Sequence, residues 1–278
     1  MTISPVERKI RAGLPVIRFI QSYMPLPLAN WFIKKSAARL KLDAAVTRQP
    51  VLAAGVPCEC ITPADSPKEH VLLYLHGGGF VFGLSPQHLQ MGAYLARKMG
   101  VRILMVDYRL APQYPFPAAL DDCITVYRWL LKQGIPAQQI TVAGDSAGGN
   151  MTITLSQKLR EDGGRLPVAA ACLSPVTDLT ARDKPPTDFK DPLLPATAIK
   201  RYTRSYLGQH DARNPLISPV FGDLRGLPPL LVHVGEDEIL KVDAVRITSL
   251  AESDGVEVRL EIYPRMWHVW QLNLGLPQ

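Results

Sequence analysis

The chain has 278 residues, of which 47% are hydrophobic and 20% charged, so its length and composition suit one large α/β domain or two small ones. Lys and Arg exceed Asp and Glu by 31 to 25, but these basic residues are dispersed, which predicts a solvated surface and no nucleic-acid partner. Four cysteines are too few for a disulfide framework, and their spacing excludes a zinc site, so reduced thiols and a cytoplasmic location are expected.

The first 45 residues form an amphipathic segment that differs from the rest of the chain. Its apolar stretch at 12–33 is interrupted by Arg18 and by three prolines, so it cannot cross a bilayer as a single helix. No apolar core with a small-residue cleavage site follows the basic N-terminus, as it would in a secretory signal. We therefore expect residues 1–45 to be a cap segment, with no stable membrane anchoring.

From residue 46 onwards, apolar runs alternate with helix-like segments, which predicts a mostly parallel α/β sheet flanked by helices. Five runs are almost continuously hydrophobic, as strands buried on both faces are. Residues about 180–212 break the alternation and end in a helical pattern, so we expect a cap insertion beside the ligand crevice. The predicted strands are 58–61, 71–75, 101–106, 140–144, 168–173, 230–235 and 257–263, and the predicted helices are 88–99, 117–133, 148–161 and 243–254.

The stretch "ITVAGDSAGG" at 140–149 carries the most specific signal. Ser146 stands between a predicted strand and a predicted helix, with Gly144 and Gly148 two residues away on either side. This Gly-x-Ser-x-Gly arrangement is the nucleophile elbow, in which a sharp turn lifts the serine hydroxyl above the sheet. A glycine-rich phosphate turn is the alternative, but the stretch lacks both the Gly-x-Gly-x-x-Gly spacing and a P-loop lysine.

Three successive glycines follow the strand at 71–75 in the stretch "VLLYLHGGGF". An acyl-transfer serine needs backbone N–H groups aimed at the oxyanion that forms on the carbonyl, and a glycine loop leaves such groups uncovered. We predict Gly77 and Gly78 as donors together with Ala147, the residue after the nucleophile, and Gly79 as a third candidate from the loop. His76 is expected to support this loop structurally.

Several motifs in this order resemble those of the hormone-sensitive-lipase-like family of α/β hydrolases, also called bacterial family IV esterases. The resemblance extends from about residue 50 to the C-terminus and implies an α/β-hydrolase fold with a helical cap, hydrolysing carboxylic esters without metal or cofactor. The motifs are "HGGGFVFG" (76–83), "DYRLAPQYPFPAAL" (107–120), "GDSAGG" (144–149), "SPVTDL" (174–179), "PPLLVHVGEDEIL" (228–240) and "MWHVW" (266–270).

In α/β hydrolases the base and acid follow the serine in the order Ser, Asp or Glu, His. His268 follows the last predicted strand, where the family places its base, whereas His233 lies inside a buried run and is expected to be a core histidine. Matching "EDEIL" to the family pattern implies Asp237 as the acid. Its neighbours Glu236 and Glu238 are then expected to make solvent or loop contacts.

Asp178 is held as the reserve acid. The resulting expectation is a serine carboxylesterase that hydrolyses short- to medium-chain esters through an acyl-enzyme, with a small-molecule ester as partner and a homodimer possible. An amidase or peptidase and an interfacial lipase on the same triad stay open as alternatives. Some relatives have become small-molecule receptors by losing the catalytic histidine, but this chain retains His268.

Overall fold

The computed structural model describes residues 4–65, 68–180 and 191–274. Within these ranges the strands are β1 (Val46–Ala53), β2 (Val56–Pro63), β3 (Lys68–Leu75), β4 (Val101–Val106), β5 (Ile140–Asp145), β6 (Ala169–Leu173), β7 (Leu230–Gly235) and β8 (Val258–Tyr263). They form one sheet of eight, in the order β1-β2-β4-β3-β5-β6-β7-β8. The β1–β2 and β2–β4 pairs are antiparallel and the other five pairs are parallel, which confirms the predicted mostly parallel α/β sheet.

Helices cover both faces of this sheet because successive strand residues point to opposite sides. The helices are α1 (Pro5–Tyr23), α2 (Leu26–Arg39), α3 (Pro86–Met99), α4 (Ala118–Lys132), α5 (Ala147–Glu161), α6 (Ala196–Leu207) and α7 (Lys241–Ser253). In β3, Leu73 and Leu75 pack in one apolar core with helices α4 and α5, while Leu72 and Tyr74 pack in a second core with α3. The predicted helices are all present, within two residues at most ends.

Strand β1 is absent from the sequence prediction. It contains Pro50 and three polar residues, Thr47, Arg48 and Gln49, and its burial is concentrated at its two ends. The strand lies at the edge of the sheet and pairs only with β2 within the described part of the chain, so a proline without an N–H group is tolerated there. Edge strands need little apolar surface, and hydrophobic patterning therefore does not reveal them.

Helices α1 and α2 lie against the loop that follows β3 and against α6. Tyr202 of α6 donates its hydroxyl to the carbonyl of Gln21 at 3.0 Å, and the Asn30 amide donates to the carbonyl of Val81 at 2.7 Å. Among the described residues, no helix combines the length and the hydropathy needed to cross a bilayer. The division into a 1–45 cap and a catalytic domain stays our interpretation, and residues 181–190 of the expected cap insertion lie outside the described residues.

Candidate active site

Ser146 occupies the sharp turn between β5 and α5. Its φ of 53° and ψ of −112° are a conformation that non-glycine residues seldom adopt, so the turn is strained. A Cβ at Gly144 would overlap the backbone of Gly148, and a Cβ at Gly148 would overlap the carbonyl of Leu75. Glycine is therefore required at both positions, which explains why the motif has this spacing.

His268 follows β8 and forms a buried ion pair with Glu238. Its Nδ1 donates to a carboxylate oxygen of Glu238 at 2.7 Å, and both side chains are at most 5% exposed. The other carboxylate oxygen of Glu238 accepts from the Ser174 hydroxyl at 2.7 Å and from the Gly235 amide at 2.5 Å. Because Nδ1 carries the shared proton, Nε2 of a neutral His268 has a free lone pair.

The same pair sets the proton affinity of the imidazole. Burial alone lowers the pKa of His268, but the hydrogen bond and the negative charge of Glu238, with smaller contributions from Asp191 and Asp145, raise it overall above its ordinary value of 6.5. His268 is thus a stronger base than a free histidine.

The expectation that Asp237 holds this imidazole is wrong in the structure. The Asp237 side chain is 42% exposed and faces Arg11 of α1, whose Nη2 lies 3.4 Å from its carboxylate. Two adjacent residues of one turn point to different sides, and the longer Glu238 side chain reaches back under the turn to the Gly235 amide and His268. Sequence matching could not separate two acids one residue apart.

The other candidate acids and bases have separate roles. Asp178 accepts from the backbone and the hydroxyl of Thr180 and pairs with Arg246 at 2.8 Å, so it stabilises its own loop. His233 is partly exposed rather than a core histidine, and it pairs with Glu261 of the neighbouring strand at 3.0 Å. Of the three histidines that follow Ser146 in the sequence, His210, His233 and His268, His268 is the one that lines the same cavity as Ser146 within the described residues.

The glycine loop differs from the prediction at its first residue. The Gly77 amide donates to the buried carboxylate of Asp145 at 2.8 Å, so it is not free to bind an oxyanion. Gly78 and Gly79 have φ values of 120° and 60°, and within the described chain neither amide donates a hydrogen bond. Both residues line the cavity beside Ser146.

Ala147 supplies the third amide. It is the first residue of α5, and the first N–H groups of a helix have no partner within it. The amides of Gly78, Gly79 and Ala147 are therefore the available donors. Gly79, the third candidate of the sequence prediction, takes the place of Gly77.

A buried polar network beneath the loop holds Gly77 in place, and sequence reasoning missed its centre, Asp145. The Asp145 carboxylate accepts from the Tyr74 hydroxyl at 2.7 Å, from His88 at 3.3 Å and from the Gly77 amide. Burial alone would raise the pKa of Asp145, but the attraction of His88 and these hydrogen bonds lower it overall. The position of Asp145 directly before the nucleophile is the feature of the sequence that could have pointed to it.

His76 also supports this loop. Its ring is fully buried and stacks on Tyr108 with a centroid distance of 4.1 Å. The Nδ1 atom donates to the carbonyl of Gly77, and the Tyr108 hydroxyl donates to the carbonyl of His76. Burial lowers the pKa of His76 to about 3, so the ring stays neutral.

The site opens into a cavity of about 660 Å³ whose walls are mainly apolar. Helices α1, α2 and α6 supply much of this wall, and Ser146 and His268 lie on the side of the sheet. Within the described ranges, no group of three or more His, Cys, Asp or Glu side chains is arranged to hold a metal ion. Apolar lining residues include Leu14, Ile17, Ile20, Met24, Phe32, Ile33, Phe82, Val176, Leu179, Leu194, Ile199 and Leu240.

Comparison with known proteins agrees with this geometry. A family model described as the alpha/beta hydrolase fold matches residues 72–272. The chain is 42% identical to an acetyl-hydrolase of Streptomyces hygroscopicus over 72% of this chain and 67% of that protein. It is 32% identical to the esterase LipU of Mycobacterium tuberculosis over 92% of this chain and 91% of that protein.

Solved structures extend the likeness to the whole fold. The crystal structure of an esterase from the bacterial hormone-sensitive lipase family superposes with a TM-score of 0.89 at 36% identity, covering 100% of this chain and 94% of that one. The chain therefore belongs to the α/β-hydrolase fold family, and its predicted resemblance to hormone-sensitive-lipase-like esterases is confirmed. The predicted class of enzyme, a carboxylic ester hydrolase, is confirmed with it.

Proposed function

We propose that this chain is a serine carboxylesterase that hydrolyses short- to medium-chain esters with Ser146 as nucleophile, His268 as base and Glu238 as acid. The observation that carries the proposal is the buried 2.7 Å pair of His268 and Glu238, in which His268 lines the same cavity as Ser146 at its strained strand-to-helix turn. The same arrangement of roles recurs in acyl-transfer enzymes of unrelated folds.

In the first half of the reaction, His268 Nε2 accepts the Ser146 proton while Oγ forms a bond to the ester carbonyl carbon. The carbonyl oxygen becomes an oxyanion, which accepts hydrogen bonds from the Gly78, Gly79 and Ala147 amides. Glu238 stabilises the imidazolium without taking its proton. The bond from the carbonyl carbon to the alcohol oxygen then breaks, and the alcohol leaves with the proton from His268.

In the second half, a water molecule gives a proton to His268 and attacks the acyl-enzyme carbonyl carbon. A second oxyanion forms between the same amides and collapses, breaking the bond to Ser146 Oγ. His268 returns the proton to Ser146, and the carboxylic acid is released. No further co-reactant is needed, because water supplies both the hydroxyl and the proton.

The apolar cavity supports an acyl or alcohol group of hydrocarbon character. Its walls offer many methyl and ring carbons but few polar groups away from Ser146, so each buried methylene of a substrate contributes about 0.8 kcal/mol of binding. We therefore expect kcat/KM to rise with chain length among short p-nitrophenyl esters and to fall once the chain outgrows the cavity. A cytoplasmic location, which suits the four free cysteines, is part of the same proposal.

The direct test is Ser146→Ala together with stoichiometric labelling of the wild type by an organophosphate. We expect the variant to lose turnover of p-nitrophenyl butyrate with an unchanged unfolding midpoint, and the label to be on Ser146. Retained turnover in Ser146→Ala would contradict the mechanism. Comparison of matched esters and anilides separates the proposed activity from that of an amidase or peptidase.

A further inference from the structure

The outer surface of α1 and α2 is unusually apolar. Of the sixteen large apolar side chains that are exposed in the described residues, nine lie on these two helices. On α1 they follow a spacing of three and four residues, which places them on one face. The α1 stripe comprises Val16, Phe19, Ile20 and Tyr23, of which Phe19 and Tyr23 are 66% and 71% exposed, and the α2 stripe comprises Leu28, Trp31 and Phe32.

Basic side chains lie at the end of each apolar stripe. Lys35 and Arg39 follow Trp31 and Phe32 at helical spacing on α2, and the Lys35 ammonium lies 4.5 Å from the Trp31 ring centroid. On α1, Arg8 and Lys9 precede Val16 by eight and seven residues and so lie near the same face. The apolar centre of this surface is thus bordered by basic side chains at both ends.

Negative charge is nearly absent from the same segment. Between residues 4 and 42 the sequence has eight Lys and Arg but one carboxylate, Glu7, and that group is buried and paired with Arg11 at 3.0 Å. The exposed surface of α1 and α2 is therefore positively charged and attracts anions, because the buried Glu7 does not neutralise it.

The apolar surface is continuous with the cavity. Ile17, Ile20 and Phe32 are each more than a third exposed, and the same three side chains line the cavity that contains Ser146. A hydrocarbon chain lying on this face would therefore meet apolar side chains along its path to the serine.

We propose that the α1–α2 face docks on a lipid surface that carries anionic headgroups. A helix with apolar and aromatic residues on one side and Lys or Arg beside them lies in the membrane interface, where rings sit at headgroup level and cations attract anionic lipid. Docking does not depend on the proposed chemistry. Delivery of a lipid ester from that surface into the cavity does rest on the proposed function.

The experiment measures co-sedimentation of the full chain with vesicles of phosphatidylcholine, with and without phosphatidylglycerol. Phe19→Ser with Trp31→Ser removes exposed rings that do not line the cavity, and Leu52→Ser with Val168→Ser removes exposed apolar residues elsewhere as the matched control. We expect the first pair to weaken binding to anionic vesicles about tenfold or more and the control pair to leave it unchanged.

A second pair of variants tests the charges. Lys35→Gln with Arg39→Gln should weaken binding about tenfold, whereas Lys98→Gln with Lys132→Gln, which lowers the net charge equally, should not. The proposal is overturned if the wild type fails to bind anionic vesicles, or if a control pair weakens binding as much as its test pair. It is also overturned if the wild type is a dimer that the Phe19 and Trp31 changes dissociate, since the face then serves self-association.

Activity on soluble p-nitrophenyl butyrate separates the two proposals. The variants designed to weaken vesicle binding should retain kcat/KM for this substrate, because their changed residues lie outside the cavity wall. A wild type that binds vesicles but hydrolyses no ester would contradict the proposed function and leave docking intact. A wild type that hydrolyses esters but does not bind anionic vesicles would overturn the docking proposal and leave the proposed function intact.

Discussion

Replacing each of the two adjacent acids, Glu238 and Asp237, by its amide tests which of them is the catalytic acid: the structure assigns Glu238, whereas the sequence pattern implies Asp237. In Glu238→Gln the side chain keeps its size and can still accept from Ser174 and Gly235, but its amide donates to His268 Nδ1 instead of accepting from it. The imidazole is then held with its proton on Nε2, which leaves no lone pair for the Ser146 proton. The same loss of tautomer control in a serine protease lowers kcat about ten-thousandfold, so we expect a fall of about a thousandfold to ten-thousandfold here.

Asp237→Asn is the matched control. Its carboxylate is 42% exposed and pairs with Arg11 at 3.4 Å, so its removal should change kcat less than about threefold and cost at most about 1 kcal/mol of stability. Both variants are assayed with p-nitrophenyl butyrate, and urea unfolding checks that each is folded. A loss of several orders of magnitude in Asp237→Asn, with near-normal turnover in Glu238→Gln, would refute the assignment of Glu238.

Two further predictions follow from the same geometry. The pKa of His268 is raised above 6.5, and the imidazole must be neutral to accept a proton, so kcat/KM should fall as the pH drops through a midpoint above 6.5. In Glu238→Gln that midpoint should move to lower pH, because the negative charge that raises the pKa is gone. A wild-type midpoint well below 6.5 would contradict the role of Glu238. In Gly148→Ala the added Cβ would overlap the Leu75 carbonyl, a backbone group that cannot move aside, so we expect a loss of about 3 kcal/mol or more in the free energy of unfolding, measured by urea denaturation. Gly163→Ala is the comparison: there the space for a Cβ is open and only the positive φ of 66° opposes a side chain, so its loss should be smaller.

Most of the sheet could be predicted because its central strands are buried on both faces. Such strands must be apolar at nearly every position, as the runs that became β3, β4 and β5 are, and this signal needs no knowledge of the neighbours. Strand β1 was not predicted because it is an edge strand, where Pro50 and polar side chains such as Thr47, Arg48 and Gln49 cost little. What hydrophobic patterning detects is burial, and β1 has little of it.

The candidate site likewise has parts that could be predicted from the sequence and parts that could not. Ser146 could be found because its turn excludes side chains at Gly144 and Gly148, and that steric requirement is written in consecutive residues. Glu238 could not be told from Asp237, and Gly79 could not be ranked above Gly77. Those choices depend on which way a carboxylate or an amide points, and they are decided by Ser174, Asp145 and His268, which are distant in the chain.

By itself, the sequence determined the α/β class, the strained serine turn, the glycine loop and the family, because each is imposed by local sterics or by burial over a few consecutive residues. Only the tertiary structure decided that Glu238 holds His268, that Asp145 occupies the Gly77 amide, and that the apolar residues of α1 and α2 divide between the cavity and the surface. These features depend on the direction of hydrogen bonds and on exposure. Both are fixed when segments far apart in the chain pack together.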